Sequence, residues 1–225
     1  MASFASPAPL ISLRGADVPS HVSSERPHPS ANSLFKRAVD IIGSVVGLLI
    51  LACVIVPVAI AIKLDSPGAV LYTQQRCGLQ GQKFKIVKFR TMVQGADAQH
   101  HQINQPFRAK AGLDARVTRV GQVLRKTSLD ELPQFWNVLM GEMSLVGTRP
   151  PTLDEVAHYS DHHWQRLNVK PGITGEWQVS GRSKIVNFEE IVNLDLRYQT
   201  IWSPLYDLVV LWKTVWVVIS GSGAC

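Results

Sequence analysis

The run Ser128-Leu129-Asp130-Glu131-Leu132-Pro133-Gln134 sets two adjacent carboxylates just after Arg125 and Lys126. Ser128 and Glu131 have the S-x-x-E spacing of a helix capping box. Asp130 and Glu131 then fall in a first helical turn, where the positive end of the helix dipole favours anions. A carboxylate held there beside basic residues stays ionised. It can attack an electrophile or hold a metal ion. Acidic first turns are also ordinary features of helices, so the heptad alone leaves both readings open.

The elements that must position this pair can be read from periodicity. Residues 1–33 are rich in Ser, Pro and Ala and read as a disordered tail without the regions of a signal peptide. Ile41 to Ile62 is twenty-two residues without a charge, bounded by Lys36, Arg37 and Asp40 before it and Lys63 after it. A straight helix of that length spans roughly 33 Å, enough to cross a bilayer, so a membrane helix is expected over 34–63. Bases flank both ends, so the positive-inside rule gives no orientation. Pro57 lacks an N–H and is expected to disturb the helix.

Residues 64–225 then read as one domain. Ala69 to Thr73 and Gln82 to Phe89 read as a small β-hairpin around Gly78 and Gly81. Alternation in the second strand puts Phe84, Ile86, Lys88 and Arg90 on one face. Helices are expected over Val117–Leu124, Leu129–Met140, Leu153–Leu167 and Phe188–Thr200. The last segment, 202–219, carries Trp202, Leu205, Val209, Trp212, Trp216 and Ile219 at helical spacing. Tryptophan favours the membrane–water boundary, so this segment reads as an interfacial helix rather than a second span; Asp207 and Lys213 also argue against spanning. The fold class is therefore α+β, mainly helical, around a membrane-facing site.

Charge is unevenly placed. From Lys63 to Asp130 there are twelve Lys or Arg against four Asp; from Glu131 onward there are seven bases against ten acids. Such a division suits a polyanionic ligand: nucleic acid, anionic lipid or nucleotide phosphates. No recognition helix or exposed aromatic platform is evident, so nucleic acid is not expected. Cys53, Cys77 and Cys225 are isolated thiols, which exclude a disulfide framework and a cysteine zinc site. His158 and His162 have a zinc-compatible i, i+4 spacing, but without the rest of a ligand set they read as a solvated helix face.

Three further blocks accompany the acidic heptad: Gly81-Gln82-Lys83-Phe84-Lys85-Ile86-Val87-Lys88-Phe89-Arg90-Thr91-Met92, Gly141-Glu142-Met143-Ser144-Leu145-Val146-Gly147-Thr148-Arg149-Pro150, and Lys170-Pro171-Gly172-Ile173-Thr174-Gly175-Glu176-Trp177-Gln178-Val179-Ser180-Gly181-Arg182. In this order, after one long apolar segment, they resemble the bacterial sugar transferases called monotopic phosphoglycosyl transferases, from about Leu34 to the C-terminus. The resemblance implies transfer of sugar-1-phosphate from a UDP-sugar to undecaprenyl phosphate at the cytoplasmic face of the inner membrane, in exopolysaccharide synthesis. It implies Asp130 as nucleophile, forming a phosphosugar-aspartyl intermediate, and Glu131 with Asp130 as the Mg²⁺ ligands. Lys88, Arg90, Arg125, Arg149 and Arg182 match positions expected near the substrate phosphates. Contact with membrane lipid is expected, and a homo-oligomer is compatible with the sequence. Two other functions remain open from sequence: a one-step transferase in which Asp130 only holds Mg²⁺, and a membrane-anchored protein that binds anionic ligands through its basic half.

The chain departs from the family in three places. The family's membrane helix is re-entrant, broken by a Ser-Pro pair. Aligned on Lys63, those positions here are Ala52 and Cys53, with Pro57 one turn later. Thr148 stands where proline is common and is expected to loosen its turn. Glu176 stands where an apolar residue or Trp is common, as an exposed acid that bears on sugar choice or is merely solvated.

Overall fold

A computed structural model of the chain describes residues 27–96, 114–181, 185 and 187–220. Its longest element is helix α1, Leu34–Asp65, capped by Ser33, whose Oγ accepts the Lys36 N–H. The helix is continuous through Pro57. By length and composition it is able to cross a membrane. Its polarity is inverted relative to a soluble helix. Lys36, Asp40, Ser44 and Gly47 recur at three- and four-residue intervals and are buried against the domain. Ile42, Val46, Leu49 and Val56 face outward. Gly47 is needed because a Cβ there would run into the Phe135 ring.

Strands β1 (Leu71–Cys77) and β2 (Lys83–Phe89) form an antiparallel hairpin in the register Leu71↔Phe89 to Cys77↔Lys83. The first strand thus runs four residues beyond its expected end at Thr73. After helix α2 (Arg119–Lys126) comes a 3₁₀ segment, Leu129–Gln134, and then α3, Phe135–Met140. Strand β3 (Ser144–Val146) pairs in parallel with β4 (Gly172–Thr174). Between them the expected helix over Leu153–Leu167 is instead three short pieces: α4 (Leu153–Val156), α5 (Asp161–Trp164) and a 3₁₀ turn, Gln165–Asn168. Thr152 and Ser160 each cap a new start, and caps of this kind compete with a continuous helix. His158 and His162 consequently do not share a helix. His163 instead pairs with Glu189 at 2.7 Å. Helices α6 (Glu176–Val179), α7 (Phe188–Ile201) and α8 (Pro204–Ser220) complete the described domain. It is mainly helical with two small two-stranded sheets, as the α+β reading expected.

The boundary of the N-terminal tail shifts. Pro29–Asn32 forms a 3₁₀ turn, Ser30 is buried, and the His28 N–H donates to the Asn168 carbonyl at 2.9 Å. Residues 1–26 of the expected tail lie outside the described residues, as does Cys225.

The main core gathers Phe84 and Ile86 from β2, Val138 from α3, Met143, Leu145 and Val146 around β3, Tyr198 from α7 and Val210 from α8. A second cluster brings Ile62 of α1 against Phe89 and Leu124, with Leu51, Val58 and Leu129 packed on it. Leu129, the neighbour of Asp130, therefore packs on the cluster that Ile62 of α1 joins. Polar contacts hold α1 in place. Lys36 Nζ lies 2.7 Å from Asp207 of α8 and donates to the Val146 carbonyl at 2.8 Å. Tyr198 OH donates to the other Asp207 oxygen at 2.7 Å. Asp40 accepts from Ser144 Oγ and the Leu145 N–H. Arg37 donates to the last carbonyls of α3, those of Val138 and Leu139. The outer face of α8 exposes Leu205, Trp212, Trp216 and Ile219, while Asp207 and Val210 point inward.

Removing one partner of the Lys36–Asp207 pair strands a buried charge, which costs about 3–5 kcal/mol. Asp207→Ala is therefore expected to lower the thermal unfolding temperature of the detergent-solubilised protein sharply. The double variant Lys36→Met/Asp207→Leu is expected to recover most of that loss. Equal melting of wild type and Asp207→Ala would remove the pair from its structural role.

Candidate active site

Asp130 and Glu131 sit on the 3₁₀ segment rather than on an α-helix. Pro133 explains this, since in α geometry its ring would meet the Leu129 carbonyl and its missing N–H would leave a gap. Ser128 enters the segment in the left-handed region, at φ 56° and ψ 17°. For a non-glycine residue that conformation is uncommon, and such residues cluster at functional sites. The expected capping box is not formed. Ser128 makes no side-chain cap, and its carbonyl accepts the Glu131 N–H instead. At three residues per turn, adjacent side chains diverge by about 120°. Asp130 is 9% exposed. Glu131 points to Lys88, with Nζ 2.9 Å from Oε1.

Strand β2 brings Lys88 to Glu131, and Asn137 anchors that strand. The Asn137 amide donates to the Lys85 carbonyl at 2.7 Å and accepts the Val87 N–H at 3.3 Å. Its NH₂ group also donates to Glu142, and its side chain is almost fully buried. Beyond the end of β2, Thr91 Oγ1 accepts from Arg125 Nε at 2.9 Å. That contact ties the basic end of α2 to the strand carrying Lys88.

A second basic group lies behind. The Arg149 guanidinium reaches Glu155 at 3.3 Å and remains 37% exposed. Arg76 of β1 donates to the Pro150 carbonyl and to Gln74, and its Nε is buried without a partner. Burial, and next the like charge of Arg149, push Arg76 down to about 10; Glu155, Tyr72 and Glu131 act the other way. Burial would raise the Glu155 carboxyl. The Arg149 charge, the Thr152 N–H and Arg76 outweigh it and hold Glu155 below its ordinary range.

The expected site residues divide on this geometry. Lys88 meets Glu131, the chain neighbour of Asp130; Arg125 is held by Thr91 and Arg149 by Glu155, each with an exposed or half-buried side chain. Arg90 is placed elsewhere. It is buried, and its guanidinium donates to the carbonyls of Ile62, Ser66 and Pro67 and to Ser66 Oγ. Its cation satisfies the carbonyl-rich C-terminal end of α1 rather than facing Asp130. Arg182 lies outside the described residues. Thr148 does not loosen its turn: it is buried and its hydroxyl donates to the Arg166 carbonyl. Glu176 is not exposed either; it is 3% accessible and accepts from Tyr206 OH at 2.6 Å. Sequence reading passed over Arg76, Asn137 and Glu155. The signal for Arg76 was a strand continuing past Thr73; for Glu155 it was the T-x-x-E box after Arg149-Pro150-Pro151, which does form.

The model of the family described as bacterial sugar transferase matches residues 31–221. Among similar proteins, the galactosyl transferase CpsE of Streptococcus agalactiae is 45% identical over 194 residues, covering 84% of this chain and 43% of that protein. The exopolysaccharide production protein ExoY of Rhizobium meliloti is 38% identical over 216 residues, 92% of this chain and 94% of that protein. The UDP-glucose:undecaprenyl-phosphate glucose-1-phosphate transferase of Escherichia coli is 40% identical over 199 residues, 85% of this chain and 41% of its own length. The chain thus spans less than half of two of these relatives and nearly all of the third.

The two arginines of opposite placement give a direct test. Arg90→Gln removes a charge-assisted cap and is expected to cost about 1.5–3 kcal/mol. Arg149→Gln removes a half-exposed ion pair and is expected to cost ~0–1 kcal/mol. Thermal melts of the two variants in one detergent check this ordering.

Proposed function

The chain belongs to the bacterial sugar transferase family, and on that footing we propose that it moves a sugar-1-phosphate from a UDP-sugar to undecaprenyl phosphate through a phosphosugar-aspartyl intermediate on Asp130. The observation that carries the reading is the placement of Asp130. It is a buried carboxylate one residue from a second carboxylate that already accommodates an ammonium at 2.9 Å, and its other neighbour, Leu129, packs toward the membrane helix. One substrate is a soluble polyanion and the other a lipid with an anionic head, so the site must be basic and lie at a membrane surface. The relatives named for glucose and galactose favour a UDP-hexose donor and a role in exopolysaccharide synthesis.

In the first step an Asp130 carboxylate oxygen attacks the β-phosphorus of the donor. A P–O bond to that phosphorus forms, the bridging P–O bond breaks, and UMP leaves with the electron pair. In the second step a phosphate oxygen of the acceptor attacks the same phosphorus and frees the Asp130 carboxylate. Lys88, Arg125 and Arg149 orient and neutralise the phosphoryl oxygens, and planar guanidinium groups suit that task. Mg²⁺ supplies charge neutralisation of the diphosphate when bound. Glu131 with Asp130 would hold it, the remaining ligands coming from substrate phosphates and water. The donor set fits, since both groups are hard oxygen ligands and the Glu131 oxygen that holds Lys88 is already cation-binding.

A cytosolic donor puts the domain on the cytoplasmic face, with both ends of α1 on that side. Single cysteines at Asn32 and Gln75, in a background lacking the natural thiols, are expected to resist an impermeant maleimide in intact cells. Labelling of position 32 alone would mean that α1 spans.

The mechanism itself is tested without acceptor. Wild type with donor and Mg²⁺ is expected to release UMP in a burst of at most one per site, and intact mass to rise by one sugar phosphate on Asp130. Asp130→Asn is expected to abolish capture. Glu131→Gln should weaken metal dependence and rate together, and Lys88→Ala should slow turnover about ten- to a hundredfold. An adduct on another residue, or full activity in Asp130→Asn, would sink the mechanism. Normal two-substrate turnover with no adduct under rapid quench would favour direct transfer.

A further inference from the structure

A cavity of about 300 Å³ adjoins Glu131. Leu129, Leu132, Phe135, Ile173, Val217 and Val218 supply apolar side chains to its wall. Lys126, Ser128 and Glu131 also border it, close to Asp130 in the chain. The threonines in its wall turn their hydroxyls to protein partners. Thr214 Oγ1 donates to the Val210 carbonyl at 2.8 Å, and Thr174 and Thr214 bond each other at 2.7 Å. Gln178 Nε2 donates to the Ile173 carbonyl, and Gln178 Oε1 is buried without a partner. The space is therefore apolar over much of its wall, and its two charged lining residues, Lys126 and Glu131, come from the chain just around Asp130.

That asymmetry selects among the substrates. A nucleotide sugar is polar along its whole length. In this cavity its hydroxyls would lie against Leu132, Val217 and Val218, where unpaired polar groups are costly. An acceptor with an anionic head and an apolar chain matches both ends. The wall also leads to the lipid-facing surface, because Val217 and Val218 lie between Trp216 and Ile219, which are 67% and 77% exposed. The volume is at the small end of ligand cavities, enough for the start of a long chain whose remainder stays in the bilayer.

We propose that this cavity binds the phosphate-proximal isoprene units of the polyprenyl phosphate acceptor and so aims its phosphate at Asp130. This rests on the transferase reading above. Val217 and Leu132 would then set acceptor affinity and its preference for a branched, unsaturated chain without touching the donor.

The test separates the two half-reactions in the full chain reconstituted in nanodiscs. Val217→Trp fills the cavity. It is expected to raise the KM for undecaprenyl phosphate about tenfold or more, with the UMP burst from UDP-sugar alone unchanged. As a second measurement, wild type is photolysed with farnesyl phosphate carrying a diazirine on its first isoprene unit. Label is expected within residues 129–135, 173–179 or 214–218, and undecaprenyl phosphate should compete it away. This decides the matter if Val217→Trp does not fold. An altered donor burst with unchanged acceptor KM would give the cavity to the sugar donor and overturn the proposal. So would label confined to other segments, or an unchanged acceptor KM in the folded variant. Absence of any UMP release by wild type would instead overturn the transferase reading, and the acceptor site with it.

Discussion

The buried pair of Lys36 and Asp207 is the contact on which the rest of the structure depends. The two groups are 2.7 Å apart, and each side chain is 6% exposed. Neither charge would be tolerated there alone. Around them meet four elements: α1 through Lys36, β3 through the Val146 carbonyl, α7 through Tyr198 and α8 through Asp207. Residue 146 leads directly into Gly147-Thr148-Arg149-Pro150, so the same knot sets where the Arg-Pro turn begins. The parallel pairing of β3 with β4 continues from it and carries Ile173 and Thr174 to the wall of the cavity.

Both long apolar helices bury charged residues, Lys36 and Asp40 in α1 and Asp207 in α8, while most of their large apolar side chains are exposed. That arrangement is stable only where the surroundings are themselves apolar, because in water the exposed faces of α1 and α8 would drive association. Polar contacts are therefore the glue between these helices and the domain. Asp40 holds β3, Arg37 holds the end of α3, and Arg90 closes the C-terminal end of α1. The acidic turn sits immediately on this framework. Leu129 packs on the cluster that Ile62 of α1 shares with Phe89 and Leu124, and Phe135 covers Gly47. Asp130 is thereby kept close to the long apolar helix, which suits the proposed reaction joining a soluble substrate to a membrane-bound one.

Within the site, cations and carboxylates are matched before any substrate arrives. Lys88 holds Glu131, Arg149 holds Glu155, and Arg125 holds a neutral hydroxyl. These partners keep long side chains ordered at little cost, because the pairs are part-exposed. A diphosphate offers stronger, multiply charged acceptors in the same place. The proposed chemistry then needs an exchange of partners rather than a rearrangement of the fold.

The sequence by itself determined the fold class, the long apolar helix, the hairpin and the adjacency of two carboxylates. Each is encoded locally, in a twenty-two-residue uncharged run, in period-two alternation from Phe84 to Arg90, and in adjacent carboxylates after two bases. It did not determine what each base does. Lys88 and Arg90 share a strand face, yet one meets Glu131 and the other meets the carbonyls at the end of α1. The difference comes from where α1 ends in space, twenty-odd residues away in the chain. Local spacing also misjudged the capping box and the helix over Leu153–Leu167, because Pro133 and an internal cap at Ser160 altered the backbone beneath. Glu176 looked exposed since nothing nearby announced Tyr206, thirty residues on. Arg76 and Asn137 escaped notice for the same reason. Their partners lie across the hairpin or on other segments, and only packing brings a charge or an amide to a carbonyl that far along the chain.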